Sequence, residues 1–176
     1  MDEKIIEIRL SGSGGQGLIL AGIILAEAAI LDGKNAVQTQ SYGPEARGGA
    51  SRSEVIISNE SIDYPKVSKS DILLALTEEA MLKYKNGLKE NGLLILDSSI
   101  EKPDGPYKIL SVPILKTAQE KVGKSIVANI VALGTLISAT KIVSKEAIEK
   151  AVLDRVPKGT EELNKKALYE GYKLVS

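Results

Sequence analysis

The sequence predicts a single three-layer α/β/α domain, with helices on both faces of a mainly parallel sheet that could include antiparallel strands. Two short runs, Asp71–Leu76 and Leu93–Asp97, are almost continuously apolar, which is typical of strands buried on both faces. Strand-like and helix-like segments alternate through the first part of the chain, as in α/β proteins. The length of 176 residues suits one domain. We expect that domain to span residues 1–176.

The first elements flank a glycine-rich turn. Ile5–Ser11 is predicted to be a strand, Gly15–Leu31 a helix ended by Asp32-Gly33, and Asn35–Ser41 a second strand. Strand–helix–strand units of this kind are usually right-handed, with their two strands parallel. The loops that follow the two strands are therefore expected at the same edge of the sheet.

The later elements follow from apolar runs and from capping residues. Thr77, Ser144 and Thr160 each precede a helical pattern and are expected to cap it with their hydroxyl groups. Asn91-Gly92 is expected to form a turn before the second buried strand. The other predicted elements are strands at Ser53–Ile57 and Tyr107–Val112, and helices at Ser125–Thr140, at Lys145–Arg155 and after Thr160.

Two of the predicted helices have no polar face. Gln16–Leu31 carries one charge, Glu27, and Ser125–Ala139 carries none. A helix on the surface of a domain normally shows a polar outer stripe. The outer faces of both helices are therefore expected to be buried, either inside a three-layer fold or, as we favour, against partner chains.

The composition restricts the chemistry of the chain. It contains no Cys and no His, so it lacks the usual ligands of iron–sulfur clusters and the commonest general base. The formal net charge is zero, which gives no reason to expect nucleic acid or anionic membrane as a partner. The longest apolar run, Leu18–Leu31, is too short for a membrane span, which needs roughly 20 residues. No cleavable signal is recognised at the N-terminus, and a cytoplasmic location is expected.

The stretch RLSGSGGQGLILAG contains Gly12, Gly14 and Gly17 in the G-x-G-x-x-G spacing of dinucleotide-binding loops. Gly12 would allow a tight turn, and Gly14 and Gly15 would let another molecule approach the backbone. Gly17 would let the helix pack closely on the sheet. The amides at the start of the helix could face an anion.

The rest of the dinucleotide signature is missing. The second strand, Asn35–Ser41, contains no acidic residue to bind ribose hydroxyls, and the loop has no Lys of the Walker A kind. Binding of NAD or NADP is therefore disfavoured. Two interpretations remain: a purely structural loop, or a surface formed by Gly14, Gly15, Gln16 and Gly17 that meets a partner subunit or a cofactor held mainly by another chain.

A second glycine-rich loop, SYGPEARGGASR, follows the second strand. It contains Glu45 and Arg47 on either side of an alanine, followed by Gly48 and Gly49. If the first two strands are parallel, both loops lie beyond strand carboxyl ends, where ligands bind in open α/β sheets. The alternative is a solvated turn with an incidental ion pair.

Together, the stretches GSGGQGLILAGIILAEAA and SYGPEARGG resemble the gamma subunit of 2-oxoacid:ferredoxin oxidoreductases. SDILLAL resembles a buried strand of that family, and ANIVALGTL and ELNKKALYEGY resemble its C-terminal helices. The resemblance covers nearly the whole chain, which would make it one domain of the pyruvate/ketoacid oxidoreductase gamma type. The form VQTQSYGPEARGG is most similar to the 2-oxoglutarate branch.

The resemblance implies a non-catalytic subunit of an enzyme complex, inactive when alone. In this family the complex converts a 2-oxoacid and coenzyme A to an acyl-CoA and CO₂ and reduces ferredoxin. Thiamine diphosphate and Mg²⁺ lie between the alpha and beta subunits, and iron–sulfur clusters lie on the beta or a delta subunit. The gamma subunit holds none of these groups itself. A homodimer is an expected form when such a chain is expressed alone.

By this resemblance, the two loops form an edge that contacts partner subunits, coenzyme A or substrate. Gly14, Gly15, Gln16 and Gly17 form one side of that edge, and Glu45, Arg47, Gly48 and Gly49 form the other. Two alternatives stay open at this point. One is a stand-alone nucleotide-binding α/β module, and the other is a gamma-like subunit of an indolepyruvate or pyruvate oxidoreductase.

Overall fold

The computed structural model describes residues 5–40 and 50–175. Within these ranges one six-stranded sheet has the order β2-β3-β1-β4-β5-β6. Its strands are β1 Ile5–Ser13, β2 Asn35–Gln40, β3 Ala50–Ser58, β4 Ser70–Ala75, β5 Leu88–Asp97 and β6 Lys108–Val112. β1, β4, β5 and β6 pair in parallel, whereas β3 is antiparallel to both of its neighbours. The sheet is mainly parallel and mixed, which confirms the predicted fold class.

The predicted strand–helix–strand unit is only partly right. β1 and β2 point in the same direction, but β3 lies between them and pairs with both. The short connection between β2 and β3 favours antiparallel neighbours, which a strand pattern alone does not reveal. Ser13 pairs with Ala50, and Gln40 pairs with Ser53, so the ends of β1 and β2 still meet at one edge of the sheet.

Six α-helices accompany the sheet in the described part of the chain. They are α1 Leu18–Leu31, α2 Glu78–Tyr84, α3 Ile114–Thr117, α4 Ala128–Thr140, α5 Lys145–Arg155 and α6 Glu161–Lys173. A π-helical turn, Ala118–Val122, extends α3, and a 3₁₀ turn, Ser125–Val127, precedes α4. Within the described ranges no helix is both long and apolar enough to cross a membrane.

Two cores lie on opposite faces of the sheet. On one face, Ile8, Leu74 and Ile95 belong to a large core that also contains residues of α1, α3, α4, α5 and α6. On the other face, Leu73 and Leu94 belong to a smaller core with side chains of α2. Neighbouring strand residues alternate between the two cores because side chains point to opposite faces of a strand. The core on the face with α1, α3, α4, α5 and α6 is thus much larger than the core on the face with α2.

The predicted burial of α4 against a partner chain is wrong. Its residues from Ala128 to Ile137 are buried within the chain itself, largely because α6 packs along it. Gly134 and Gly171 form the crossing point, where a Cβ at Gly134 would overlap the carbonyl oxygen of Leu168 and lie 3.0 Å from the Cα of Gly171. The apolar pattern indicates burial, but the covering element is a helix of the same chain.

Two of the three predicted caps are confirmed. The hydroxyls of Thr77 and Ser144 accept hydrogen bonds from the third residue that follows each, at 3.2 and 3.1 Å. Thr160 is the N-cap residue of α6 but makes no such bond. Its hydroxyl instead donates to the carbonyl of Pro157 at 2.6 Å. Threonine often makes local bonds of this kind, and they compete with capping.

The predicted turn at Asn91-Gly92 lies inside a strand. β5 begins at Leu88, and its pairing with β4 is irregular between Leu88 and Leu93. Asn91 has a φ of 63°, a conformation that asparagine tolerates better than most residues. The two residues therefore form a bulge that the sequence pattern cannot distinguish from a turn.

Candidate functional site

The two glycine-rich loops begin at the same edge of the sheet. The first follows β1 and leads into α1, and the second connects β2 to β3 through residues 41–49. Glu45, Arg47, Gly48 and Gly49 lie outside the described residues, so their contacts are not assigned. The strand residues next to that segment are adjacent to the first loop, because Ala50 pairs with Ser13. This register supports the expectation that both loops share one edge.

The tip of the first loop is open to solvent. Gly14 and Gly15 are exposed. Gly15 has a φ of 88°, and no atom of the described chain lies within 4 Å of the position that a Cβ would occupy. A non-glycine residue at this φ would usually be strained. The backbone at Gly15 therefore leaves room for another molecule to approach.

Gln16 faces inward and braces the loop. Its side-chain oxygen accepts a hydrogen bond from the amide of Ser13 at 2.8 Å. The same side chain fills the space beside Gly12, where a Cβ would overlap it. The sequence predicts that Gln16 belongs to the contact edge, but its side-chain oxygen is bonded to Ser13, the last residue of β1.

Gly17 has a different role from the one predicted. It is the N-cap of α1 in the left-handed conformation, with φ 73° and ψ 28°, and no side chain caps this helix. A Cβ here would lie 2.5 Å from Nδ2 of Asn129, which donates to the carbonyl of Gly17 at 3.0 Å. The glycine that lets α1 pack closely on the sheet is instead Gly22, where a Cβ would overlap Oγ of Ser53.

The N-terminus of α1 offers backbone donors at the shared edge. The amides of a first helical turn have no acceptor within the helix. The first turn of α1 contains no acidic residue and no capping side chain that would use them. Together with the helix dipole, these donors suit an anionic group.

An ionic cluster of Arg9, Arg52 and Glu54 lies on β1 and β3, on the face of the sheet that packs against α2. The Glu54 carboxylate forms ion pairs with the buried Arg9 at 3.5 Å and with the half-exposed Arg52 at 3.1 Å. Arg9 is 5% exposed, donates to the carbonyl of Val67 at 3.1 Å and lies 5.6 Å from the ring centre of Tyr84. Such a pair is costly to break because a buried charge would be left alone. A cavity of about 390 Å³ beside the cluster is lined by Thr39, Gln40, Arg52, Glu54, Pro65, Lys66 and Val67.

The described residues bring together no set of ligands for a metal ion or an iron–sulfur cluster. The sequence has no Cys and no His. In the described ranges, Asp and Glu side chains form no group of three or more that could hold a metal ion. Among the described residues, the shared edge of the two loops provides backbone amides and the exposed glycine surface of Gly14 and Gly15, which suit the binding of another molecule.

Asn129 and the Arg9–Glu54 pair were missed by sequence reasoning. Asn129 could have been noticed as the one amide side chain in the apolar run SIVANIVALGTLISAT. A buried polar group usually has a partner, and here the partner is the glycine loop. The ionic pair gave no comparable signal, since charged residues on strands are most often exposed.

The family profile described as pyruvate ferredoxin/flavodoxin oxidoreductase matches residues 7–174. The chain is 56% identical to the 2-oxoglutarate synthase subunit KorC of Methanocaldococcus jannaschii, over 96% of this chain and 92% of that one. It superposes on the keto/oxoacid ferredoxin oxidoreductase gamma subunit of Geobacter sulfurreducens with a TM-score of 0.90 and 55% identity, covering 97% and 96% of the two chains. The pyruvate oxidoreductase subunit PORC of Thermotoga maritima gives a TM-score of 0.83 and 30% identity, covering 99% and 98%. The chain therefore belongs to the pyruvate ferredoxin/flavodoxin oxidoreductase family.

Proposed function

We propose that the chain is the gamma subunit of a 2-oxoglutarate:ferredoxin oxidoreductase. The relative named for 2-oxoglutarate is 56% identical to it over nearly the full length of both chains. The relative named for pyruvate is 30% identical over a similar span. This difference supports 2-oxoglutarate rather than pyruvate as the substrate of the complex, in agreement with the stretch VQTQSYGPEARGG.

The complex would convert 2-oxoglutarate and coenzyme A to an acyl-CoA and CO₂ with reduction of ferredoxin. Thiamine diphosphate, when bound, supplies the chemistry of decarboxylation, and the protein positions the reactants. We assign thiamine diphosphate, Mg²⁺ and the iron–sulfur clusters to the alpha, beta and delta subunits, as the resemblance to the family implies, and the absence of Cys and His from the sequence agrees with this for the clusters. The role of this chain is to form part of the wall around the site.

The observation that carries the proposal is the exposure of apolar side chains at both ends of α1. Ile19, Ile30 and Leu31 are 38%, 59% and 44% exposed. The single charged residue of the helix, Glu27, is paired with Arg155 of α5 at 2.6 Å. Ile30 and Leu31 are adjacent at the C-terminal end of α1, and exposed apolar surface of this kind suits contact with another chain. We therefore place a partner subunit against α1, as predicted for this helix.

The glycine edge is the second contact in this proposal. Its accessible backbone at Gly14 and Gly15 and the donors at the start of α1 would face a partner subunit or an anionic group of coenzyme A or the oxoacid. Gln16 and Gly17 hold the loop in shape behind that surface. Arg47 of the second loop adds a planar set of donors suited to a carboxylate or phosphate, and Glu45, Gly48 and Gly49 complete the proposed edge.

Purification of the tagged chain from the organism that encodes it tests the proposal. The chain should be recovered with alpha, beta and delta subunits, and the preparation should reduce ferredoxin with 2-oxoglutarate and coenzyme A faster than with pyruvate. The chain purified alone should show no turnover. Turnover by the lone chain, or a preference for pyruvate, would contradict the proposal.

A matched pair of glycine variants tests the edge. Gly15→Asn and Gly159→Asn add the same side chain at φ values of 88° and 91°, and neither Cβ would meet an atom of the described residues within 4 Å. Asparagine tolerates this conformation, so both variants should fold. Gly15→Asn should weaken retention of the chain in the complex on gel filtration or raise a Michaelis constant. Gly159→Asn, in the turn between α5 and α6, should not, and equal behaviour of the two would remove the edge from the proposal.

A further inference from the structure

Asn129 is a buried polar residue at the start of an apolar helix. It lies in the first turn of α4 and is 5% exposed, although α4 carries no charged residue. Burying an amide costs free energy unless its groups find partners. Its Nδ2 group donates to the carbonyl of Gly17, 112 positions away in the sequence. The amide therefore joins the start of α4 to the glycine loop.

The carbonyl of Gly17 accepts two hydrogen bonds. The first comes from the amide of Ala21 at 3.1 Å and begins the hydrogen-bond pattern of α1. The second comes from Asn129 at 3.0 Å. The contact from α4 therefore holds the carbonyl at the start of α1, while the free amides of the first turn remain without a capping side chain.

The loop is thus fixed on both sides of its open tip. On the strand side, Gln16 accepts from the amide of Ser13. On the helix side, Asn129 lies against Gly17, where the left-handed φ of 73° favours glycine and a Cβ would lie 2.5 Å from Nδ2. Gly14 and Gly15 lie between these two supports and remain exposed. The position of the accessible backbone therefore depends on the contact made by Asn129.

We infer that Asn129 is a positioning residue, which holds the glycine loop in the geometry that its partner or ligand recognises and acts through Gly17. The inference rests on the proposed role of the glycine edge. Asn129 itself is buried, so it does not touch that partner or ligand. Losing its donor group should change how the loop binds without changing the residues that the loop presents.

Two variants separate loss of the donor from loss of shape. Asn129→Asp keeps the shape but places a carboxylate oxygen against the carbonyl of Gly17. When the carboxyl is protonated, its O–H can donate to Gly17 again, and burial favours that protonated form. Asn129→Leu has a similar size and cannot donate at any pH. Thr135→Val is the control, since Thr135 is buried in α4 and bonds within α4 and to α6, away from the loop.

The first measurement is amide hydrogen exchange on the full chain, from Ser13 to Ala21, at pH 8 and pH 5. Each rate is taken as a ratio to the parent protein at the same pH. Asn129→Asp and Asn129→Leu should exchange about tenfold faster than the parent at pH 8. At pH 5 the ratio for Asn129→Asp should fall toward one, whereas that for Asn129→Leu should not. Thr135→Val should leave the loop unchanged.

The second measurement uses the assembled complex. Asn129→Asp should raise the Michaelis constant for coenzyme A or 2-oxoglutarate at pH 8 with little change in kcat, or else weaken retention of the chain. Normal loop exchange in both Asn129 variants would overturn the inference. The inference would also be overturned if the Asn129 variants showed altered loop exchange but normal kinetics and assembly, while Gly15→Asn impaired the complex. If Gly15→Asn is also without effect, the proposed glycine edge fails as well.

Discussion

Replacing Gly134 with alanine should destabilise the protein at the crossing of α4 and α6. Alanine in the middle of a helix normally stabilises by about 0.5–1 kcal/mol relative to glycine. Here the new Cβ would overlap the carbonyl oxygen of Leu168 and lie 3.0 Å from the Cα of Gly171. Both obstacles are backbone atoms, so the helices must separate. Overpacking of this kind costs about 1–3 kcal/mol.

For an obstacle that cannot rotate away, the upper end of that range applies, and the net loss should be about 2 kcal/mol. For a chain of this length each kcal/mol lowers Tm by about 2–4 °C, so Tm should fall by about 4–8 °C. Urea and thermal unfolding of the full chain measure this. Gly22→Ala is the comparison, since its obstacle is the hydroxyl of Ser53, which can rotate, and its loss should be smaller. A Gly134→Ala protein within about 0.5 kcal/mol of the parent would refute the packing argument.

Three further predictions follow from the sequence and the charges. The isolated chain should bind neither NAD nor NADP, and a micromolar Kd in calorimetric titration would contradict the interpretation of the loop. Burial raises the pKa of Glu7, and the nearby Lys89 opposes this effect. When the pKa of a carboxyl is higher in the folded than in the unfolded protein, the free energy of unfolding decreases as pH rises through the folded pKa. Glu7→Gln should therefore be more stable than the parent in urea at pH 7, with the difference shrinking below about pH 4; an equal difference at both pH values would count against this. Arg47→Ala should leave the complex assembled but cost about 2–5 kcal/mol in binding, seen as a raised Michaelis constant for coenzyme A or the oxoacid. The control variant Arg155→Ala should not raise that constant. Normal kinetics for Arg47→Ala would show that the second loop is ordinary surface.

Elements that depend on local pattern were predicted well. The apolar run Asp71–Leu76 overlaps β4 with a shift of one residue, and Leu93–Asp97 is the second half of β5, which already begins at Leu88. Thr77 and Ser144 cap their helices as expected. These features depend on neighbouring residues, which the sequence displays directly.

Elements that depend on distant contacts were not predictable in the same way. The insertion of β3 between β1 and β2 is a choice of pairing partner, which alternation along a strand does not specify. The apolar face of α4 indicated burial, but not that α6 would provide it. The role of Gly17 likewise depends on Asn129, whose contact spans 112 positions. In each case the residue type was informative, and the missing fact was which element lies against it.

Omission of this chain from the complex tests the central claim most directly. The partner subunits would be expressed together with and without it, and CoA-dependent reduction of ferredoxin by 2-oxoglutarate would be measured at equal amounts of the alpha and beta subunits. The proposed function predicts that activity requires the chain and returns when the purified chain is added back. A complex without it that oxidises 2-oxoglutarate at the full rate would contradict its assignment as a working subunit.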